Sequence, residues 1–163
     1  MLVRKATERD LDRAMELYDV ARAFMRANGN DVQWVNGYPS RELVENDLAV
    51  GNLLVCEDEG EVAAVMAYIE GPDETYATID GAWLADRPYW VVHRIAVGSS
   101  GRGVGSFCLR WAVDDAAARG CDLRYDTHEL NGVMRRALAR AGLVECGVIH
   151  IADGTPRVAF QTP

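Results

Sequence analysis

The run from Val91 to Ser106, VVHRIAVGSSGRGVGS, constrains this chain more than any other segment. An apolar, strand-like stretch passes through small residues and the closely spaced Gly103 and Gly105 directly into an amphipathic helix. Glycine lacks a β-carbon, so backbone N–H groups there can approach an anion closely. The N-terminus of the following helix adds unpaired donors and a positive dipole end. Arg102 contributes a fixed positive charge. The order strand, glycine turn, helix is a cradle for phosphate, and it serves as often as a tight structural connection. Two phosphate loops are excluded by spacing. A P-loop requires a Lys after its second glycine, and none follows here. A dinucleotide fingerprint begun at Gly101 would need its third glycine at Ser106, and one begun at Gly103 would need it at Cys108.

The flanking segments supply the rest of a mixed α/β pattern. Leu2 to Ala6 reads as a short strand, and Thr7 with Asp10 forms a capping box ahead of Leu11, Ala14, Met15, Tyr18, Ala21 and Met25 at helical spacing. Pro39 and Ser40 open a second helix that runs to Gly51. Leu53–Glu57 and Glu61–Glu70 form a hairpin about Asp58-Glu59-Gly60. Leu123–Thr127 is a strand, Asn131 stands at a helix N-cap, and Val133, Met134, Ala137, Leu138 and Ala141 lead to Gly142. Val144–Ile151 and Arg157–Gln161 flank the turn former Asp153-Gly154-Thr155-Pro156 as a closing hairpin.

Ser100-Gly101-Arg102-Gly103-Val104-Gly105 after Ile95-Ala96-Val97 resembles motif A of the GNAT superfamily of N-acetyltransferases, whose pattern is Arg/Gln-x-x-Gly-x-Gly/Ala. Ser100 departs from it, standing at the usual Arg/Gln position. Asn131, Met134, Leu138, Gly142 and Leu143 resemble motif B, with Leu138 in place of a frequent tyrosine and Leu143 in place of a phenylalanine. Gln33-Trp34 with Gly37-Tyr38-Pro39, and His93-Arg94 later, look like a bacterial subgroup of that superfamily. The resemblance covers essentially the whole chain, the segments Gly29–Asp47 and Gly71–Pro88 excepted. It implies a single GNAT-like domain over residues 1–163, with a mixed central sheet of about six to seven strands flanked by about four helices.

Composition agrees. A chain of 163 residues lies in the usual range for one domain and can bury a full core. A net charge of −8 argues against nucleic acid as partner, because phosphate backbones demand a basic face, and favours a cationic amine. Charge begins at Arg4, and the apolar run Val62–Ile69 is far shorter than the roughly 18 residues of a membrane span. A cytoplasmic protein without a membrane partner is expected. Cys56, Cys108, Cys121 and Cys146 form no Cys-x-x-Cys pair and read as free thiols, with no metal expected.

The resemblance implies acetyl-CoA as cosubstrate. It would be held by the backbone of Ile95, Ala96 and Val97 and by Arg102, Gly103, Val104, Gly105 and Ser106, with Asn131 and Met134 near the pantetheine arm. Asn131 serves equally as a plain N-cap. Acyl transfer to an amine needs a polarised carbonyl, a neutral amine and a stabilised leaving thiolate. Asp126, five residues before Asn131, is the first candidate for the base, where relatives carry a glutamate acting through water. A substrate-ammonium anchor or turn cap is an equal alternative. His93 and His128 are its rivals, His93 also reading as hydrogen-bonded packing. Leu138 cannot donate a proton, and among Tyr38, Tyr76, Tyr89 and Tyr125 the sequence singles out no acid.

Trp34 and Tyr38 in the first long loop, and Trp83 in the second, suit an amine acceptor through their aromatic faces beside carboxylates such as Asp73, Glu74, Asp80 and Asp86. The same tryptophans serve equally to pin the loops to the core. The leading expectation is direct acetyl transfer from acetyl-CoA to a primary amine of a small molecule or peptide. The alternative is a non-catalytic acyl-CoA-binding sensor or partner module. A nucleotide-dependent oxidoreductase is weakened by the missing third glycine. A homodimer is common among such enzymes, though no residue here argues for one.

Overall fold

The structure, a computed structural model, describes residues 1–98 and 102–163. In chain order its elements are β1 (Leu2–Lys5), α1 (Leu11–Ala27), α2 (Arg41–Ala49), β2 (Leu53–Asp58), β3 (Glu61–Glu70), β4 (Asp80–Gly81), β5 (Tyr89–Val97), α3 (Val104–Ala118), β6 (Asp122–Thr127), α4 (Gly132–Arg140), β7 (Val144–His150) and β8 (Pro156–Gln161). Packing divides the chain into two compact units. One is Met1–Tyr68 with Arg94–Cys108, the other Ile69–His93 with Leu109–Pro163. No described helix is long and apolar enough to cross a membrane.

In the first unit β1, β2 and β3 pair antiparallel, with Val3 opposite Cys56 and Val55 opposite Val65. Ala14, Leu17 and Tyr18 share one face of α1, as their three- and four-residue spacing dictates. They are fully buried with Val44, Leu53, Val55, Val65 and Ala96. Each large apolar side chain removed from water here is worth about 1.5–3 kcal/mol. Ser40 caps α2 by accepting from the Leu43 N–H at 3.2 Å.

The start of α1 is tied down by charge. The Asp10 carboxylate accepts from the Thr7 N–H at 2.8 Å and from Arg4 at 2.8 and 2.9 Å, while Arg4 Nε donates to Glu57 at 2.7 Å. The Arg4 hydrogen bonds hold the Asp10 carboxyl down at about 2. Because the folded value lies below the unfolded one, this contribution is complete above about pH 4 and is lost as pH falls towards 2. Wild-type protein should lose about 1 kcal/mol of unfolding free energy over that window from this group, a figure discounted for the one-third exposure of Arg4. Arg4→Met should flatten that part of the decline. Denaturant titrations at stepped pH measure it, and equal slopes in the two proteins would remove Asp10 as the cause.

In the second unit β5 and β6 run parallel, Tyr89 to Val91 opposite Asp122 to Arg124, and β6, β8, β7 and β4 continue antiparallel. Its core centres on Tyr76, Val91, Ile149 and Ala159. The buried Asp122 carboxylate is satisfied by Gln161 Nε2 at 2.6 Å and by Arg87 at 2.7 Å. Arg124 is buried between Trp83 and Tyr89, its guanidinium carbon 4.1 and 3.9 Å from the ring centroids.

The described strands number eight, above the six to seven expected. The addition is the two-residue β4 within the insert, too short to carry any periodicity. It depends on backbone contact instead. A Cβ on Gly147 (φ +147°) would stand 2.1 Å from Asp80 O, and one on Gly81 (φ +128°) would stand 2.3 Å from Cys146 O. Gly147→Ala should cost about 1–3 kcal/mol through this overpacking and the unfavourable φ. An unchanged thermal midpoint would contradict so close an approach.

Candidate active site

In the first unit β5 ends where the Gly98 N–H donates to Ala63 O at 2.9 Å. Ser99, Ser100 and Gly101 lie outside the described residues, and the Ser100 departure from motif A with them. Gly103 follows at φ +78°, a left-handed conformation that favours glycine, with open space where a Cβ would point. Val104 is buried at the start of α3, and a Cβ on Gly105 would touch Val97 Cγ2 at 3.4 Å. The exposed glycine, the partly exposed Gly105 and Ser106, and the first-turn N–H groups of α3, which lack intrahelical acceptors, make an approachable donor surface. Arg102 is engaged elsewhere. Its guanidinium pairs with Asp58 at 3.0 Å and Glu59 at 2.6 Å across the β2–β3 turn, so its charge is largely balanced within the protein.

Also in this unit, Arg94 adopts φ +52°, which breaks the alternation along β5. Val91 and Val92 are both buried, His93 and Arg94 half-buried, Ile95 and Ala96 buried again. The strained residue is held by the buried Asp47, which accepts from Arg94 Nε at 3.1 Å and Nη2 at 2.8 Å. Trp34 lies edge-on to the buried Tyr18 at 5.8 Å and to Tyr38 at 6.3 Å, so it pins its loop as well as presenting a face. Tyr38 is exposed, its hydroxyl 3.5 Å from Arg94 Nη1.

The second unit holds a connected set of titratable groups. The parallel pairing of β5 with β6 ends at Val91 opposite Arg124, and two residues further along each strand His93 Nδ1 lies 3.9 Å from Asp126 Oδ2. That same Oδ2 accepts from the Tyr76 hydroxyl at 2.7 Å, while Oδ1 takes no hydrogen bond among the described residues. Burial, then the Asp126 charge, pushes the Tyr76 phenol well above its ordinary range, so it is a donor to Asp126 and a poor acid. On the other side His93 Nε2 lies 2.8 Å from Asp73 Oδ2. Asp73 Oδ1 accepts from the Thr75 N–H at 2.9 Å and its hydroxyl at 2.6 Å, and the Asp73 N–H donates to Tyr89 Oη at 2.9 Å. The His93 hydrogen bond holds the Asp73 carboxyl well below the usual range, with Thr75 assisting.

Of the three candidates for the base, Asp126 and His93 therefore stand together. His128 serves its own turn, its Nδ1 accepting from the Leu130 N–H at 3.2 Å. Burial and Arg157 lower its basicity. Asn131 caps α4, its Oδ1 accepting from the Met134 N–H at 3.1 Å, and Leu138 is fully buried as a core residue. Trp83 donates its indole N–H to Tyr76 O at 3.1 Å and stacks beneath Arg124, so a cation of the protein already covers one of its faces. Asp73 as the partner of His93 was not read from the sequence. Asp-x-Thr, a common side-chain turn, is its only local signal, and a turn does not reveal what its carboxylate faces.

Residues 11–143 match the family model of the acetyltransferase (GNAT) family. A GNAT-family acetyltransferase from Streptococcus agalactiae 2603 is 33% identical over 99% of this chain and 94% of its own, with a TM-score of 0.84. One from Listeria monocytogenes 4b F2365 is 22% identical over 99% of this chain and 93% of its own, TM-score 0.74. A ribosomal-protein-alanine N-acetyltransferase from Brucella melitensis is 22% identical over 99% of both chains, TM-score 0.64. The latter two likenesses bear on the fold alone. No curated protein matches the chain significantly. The fold and its relatives define an α/β acyltransferase. The chain belongs to the GNAT family of acetyltransferases. A further neighbour in fold, 11% identical, is the NatC complex bound to Gag peptide and CoA.

Proposed function

We propose that this chain acts as one acetyltransferase domain. It transfers the acetyl group of acetyl-CoA directly to a primary amine of a cationic small molecule or of a peptide, with Asp126 as general base. The observation that carries this reading is the Asp126 carboxylate itself. One oxygen is held by Tyr76 beside His93 and the other is left for an amine or its water. Tyr76 keeps the carboxylate oriented, and the half-buried setting strengthens its attraction for an ammonium. The excess of acidic residues, net charge −8, supports a cationic acceptor.

The donor surface of Gly103, Val104, Gly105 and Ser106 fits a pyrophosphate, since it is open, exposed and lies at a helix N-terminus. Within the first unit, Ile95, Ala96 and Val97 would offer backbone groups to the pantetheine arm and thioester, and Trp34 and Tyr38 aromatic faces to an amine; within the second, Asn131 and Met134 are the pantetheine candidates and Trp83 the aromatic one. Direct transfer, rather than passage through an acyl-enzyme on Cys56, Cys108 or Cys146, is supported by the burial of those thiols. The Cys56, Cys108 and Cys146 thiols are pushed up by burial, opposite to what an acyl-accepting thiolate needs. The cytoplasm, where the cosubstrate is available, is the compartment this reading implies.

Calorimetric titration with acetyl-CoA and, separately, NAD tests the cosubstrate, followed by thiol release across a panel of primary amines. Binding of acetyl-CoA alone with turnover of a cationic amine is expected. Binding without turnover across the panel would favour the acyl-CoA sensor, and preference for NAD would overturn both.

A further inference from the structure

We propose that Asp73 is a positioning residue: it holds His93 so that Nδ1 faces Asp126 and receives from it the proton taken from the acceptor ammonium. This deepens the reading above and rests on it. An ionised carboxylate only accepts hydrogen bonds, so the nitrogen 2.8 Å from Asp73 Oδ2 is the one that carries hydrogen, Nε2. That leaves Nδ1 as the proton-accepting atom. It points at Asp126 Oδ2 from 3.9 Å, a gap that a small rotation or one water closes. Asp73 is itself immobilised by Thr75 on its other oxygen and by Tyr89 on its N–H. The titratable groups facing His93 are Asp73 from the β3–β4 connection, Asp126 from β6 and, at 6.1 Å between rings, Tyr76 from the same connection as Asp73.

The step balances. Asp126 takes one proton from the ammonium on Oδ1, the oxygen not held by Tyr76, and one water relays a proton from that carboxyl to His93 Nδ1, regenerating the carboxylate. The freed nitrogen bonds to the thioester carbonyl carbon as the carbon–sulfur bond breaks with its electron pair to sulfur. The second amine proton goes to the thiolate, the third remains on the amide nitrogen, and His93 returns its proton to solvent after turnover.

Two readouts test the proposal. The first is the two-bond 1H–15N imidazole spectrum of the free protein at pH 8. Its three histidines are assigned with His93→Gln and His150→Gln. His93 is expected as the Nε2–H tautomer in wild type and to lose that preference in Asp73→Asn. The second is steady-state acetylation of the best acceptor from a panel of alkyl diamines, aryl-ethylamines and dipeptides. Asp73→Asn should lower kcat at least 100-fold, with KM for the amine and acetyl-CoA affinity within threefold of wild type. Asp73→Glu should recover at least tenfold of that loss. A loss confined to the amine KM would make Asp73 an ammonium anchor and overturn the proposal. So would an unchanged kcat or an unchanged tautomer. If wild type binds acetyl-CoA but acetylates no amine, the functional reading has failed and the catalytic role of Asp73 falls with it. A normal tautomer shift would then mark the Asp73–His93 pair as structural.

Discussion

Asp126→Asn is expected to lower kcat by about 10²–10⁴-fold, the usual worth of a general base, while leaving acetyl-CoA affinity within about threefold. The amide is nearly isosteric but cannot take a proton. It keeps an oxygen to accept from the Tyr76 hydroxyl, which lies 2.7 Å away in the native protein, so the buried phenol retains a partner and the fold is preserved. Asp126→Ala would leave that phenol without an acceptor and cost about 1–3 kcal/mol of stability, which would blur the result. Initial rates by thiol release, with calorimetry on the same samples, separate chemistry from binding. Turnover unchanged in Asp126→Asn would move the base to His93, His128 or an ordered water. His128 would then have to leave its hydrogen bond to the Leu130 N–H, which makes it the least favoured of the three.

Gly103→Glu is expected to abolish detectable acetyl-CoA binding while the protein stays folded. A Cβ here would meet nothing within 4 Å, so no buried contact is broken. The cost to the fold is only that of holding a non-glycine residue at φ +78°, about 1–2 kcal/mol. For an anionic ligand the change is severe. The new side chain fills the approach to the first-turn N–H groups of α3 and sets a carboxylate where the helix dipole favours an anion. Gly103→Ala separates the two causes, since it has the backbone strain without the charge and should weaken binding far less. Wild-type affinity in Gly103→Glu, measured calorimetrically beside an intact circular dichroism spectrum, would remove this turn from the cosubstrate site. Arg102→Ala should have little effect by comparison, because Asp58 and Glu59 already balance its charge.

Most of the secondary structure is readable along the chain, because the signals for it are short-range. The spacing of Ala14, Leu17 and Tyr18, the cap at Ser40, the Asp58-Glu59-Gly60 turn and the N-cap at Asn131 each act within a few residues. The glycine turn into α3 is of the same kind: it needs only an apolar strand, a residue without a β-carbon and a helix that follows. β4 has no such signal. Two residues cannot display a period, and their pairing rests on the absence of a side chain at Gly147, far along the chain. Arg94 likewise gives no warning of its positive φ, which is supported by an ion pair to Asp47 on a different element.

Residue types and their local order were thus sufficient for the family, the mixed α/β class, the approachable glycine turn and the candidacy of Asp126 and His93. The tertiary structure alone decided which of those groups meet. The neighbouring strands β5 and β6 bring His93 Nδ1 within 3.9 Å of Asp126 Oδ2, and the folded insert delivers Asp73 to one imidazole nitrogen and Tyr76 to the Asp126 carboxylate. It also turned Arg102 towards Asp58 and Glu59, and laid Arg124 over the aromatic faces of Trp83 and Tyr89. The reason is physical. A side chain's periodicity is set by its own few neighbours, whereas its partner is set by where distant segments are hydrogen-bonded, and that is a property of the packed chain.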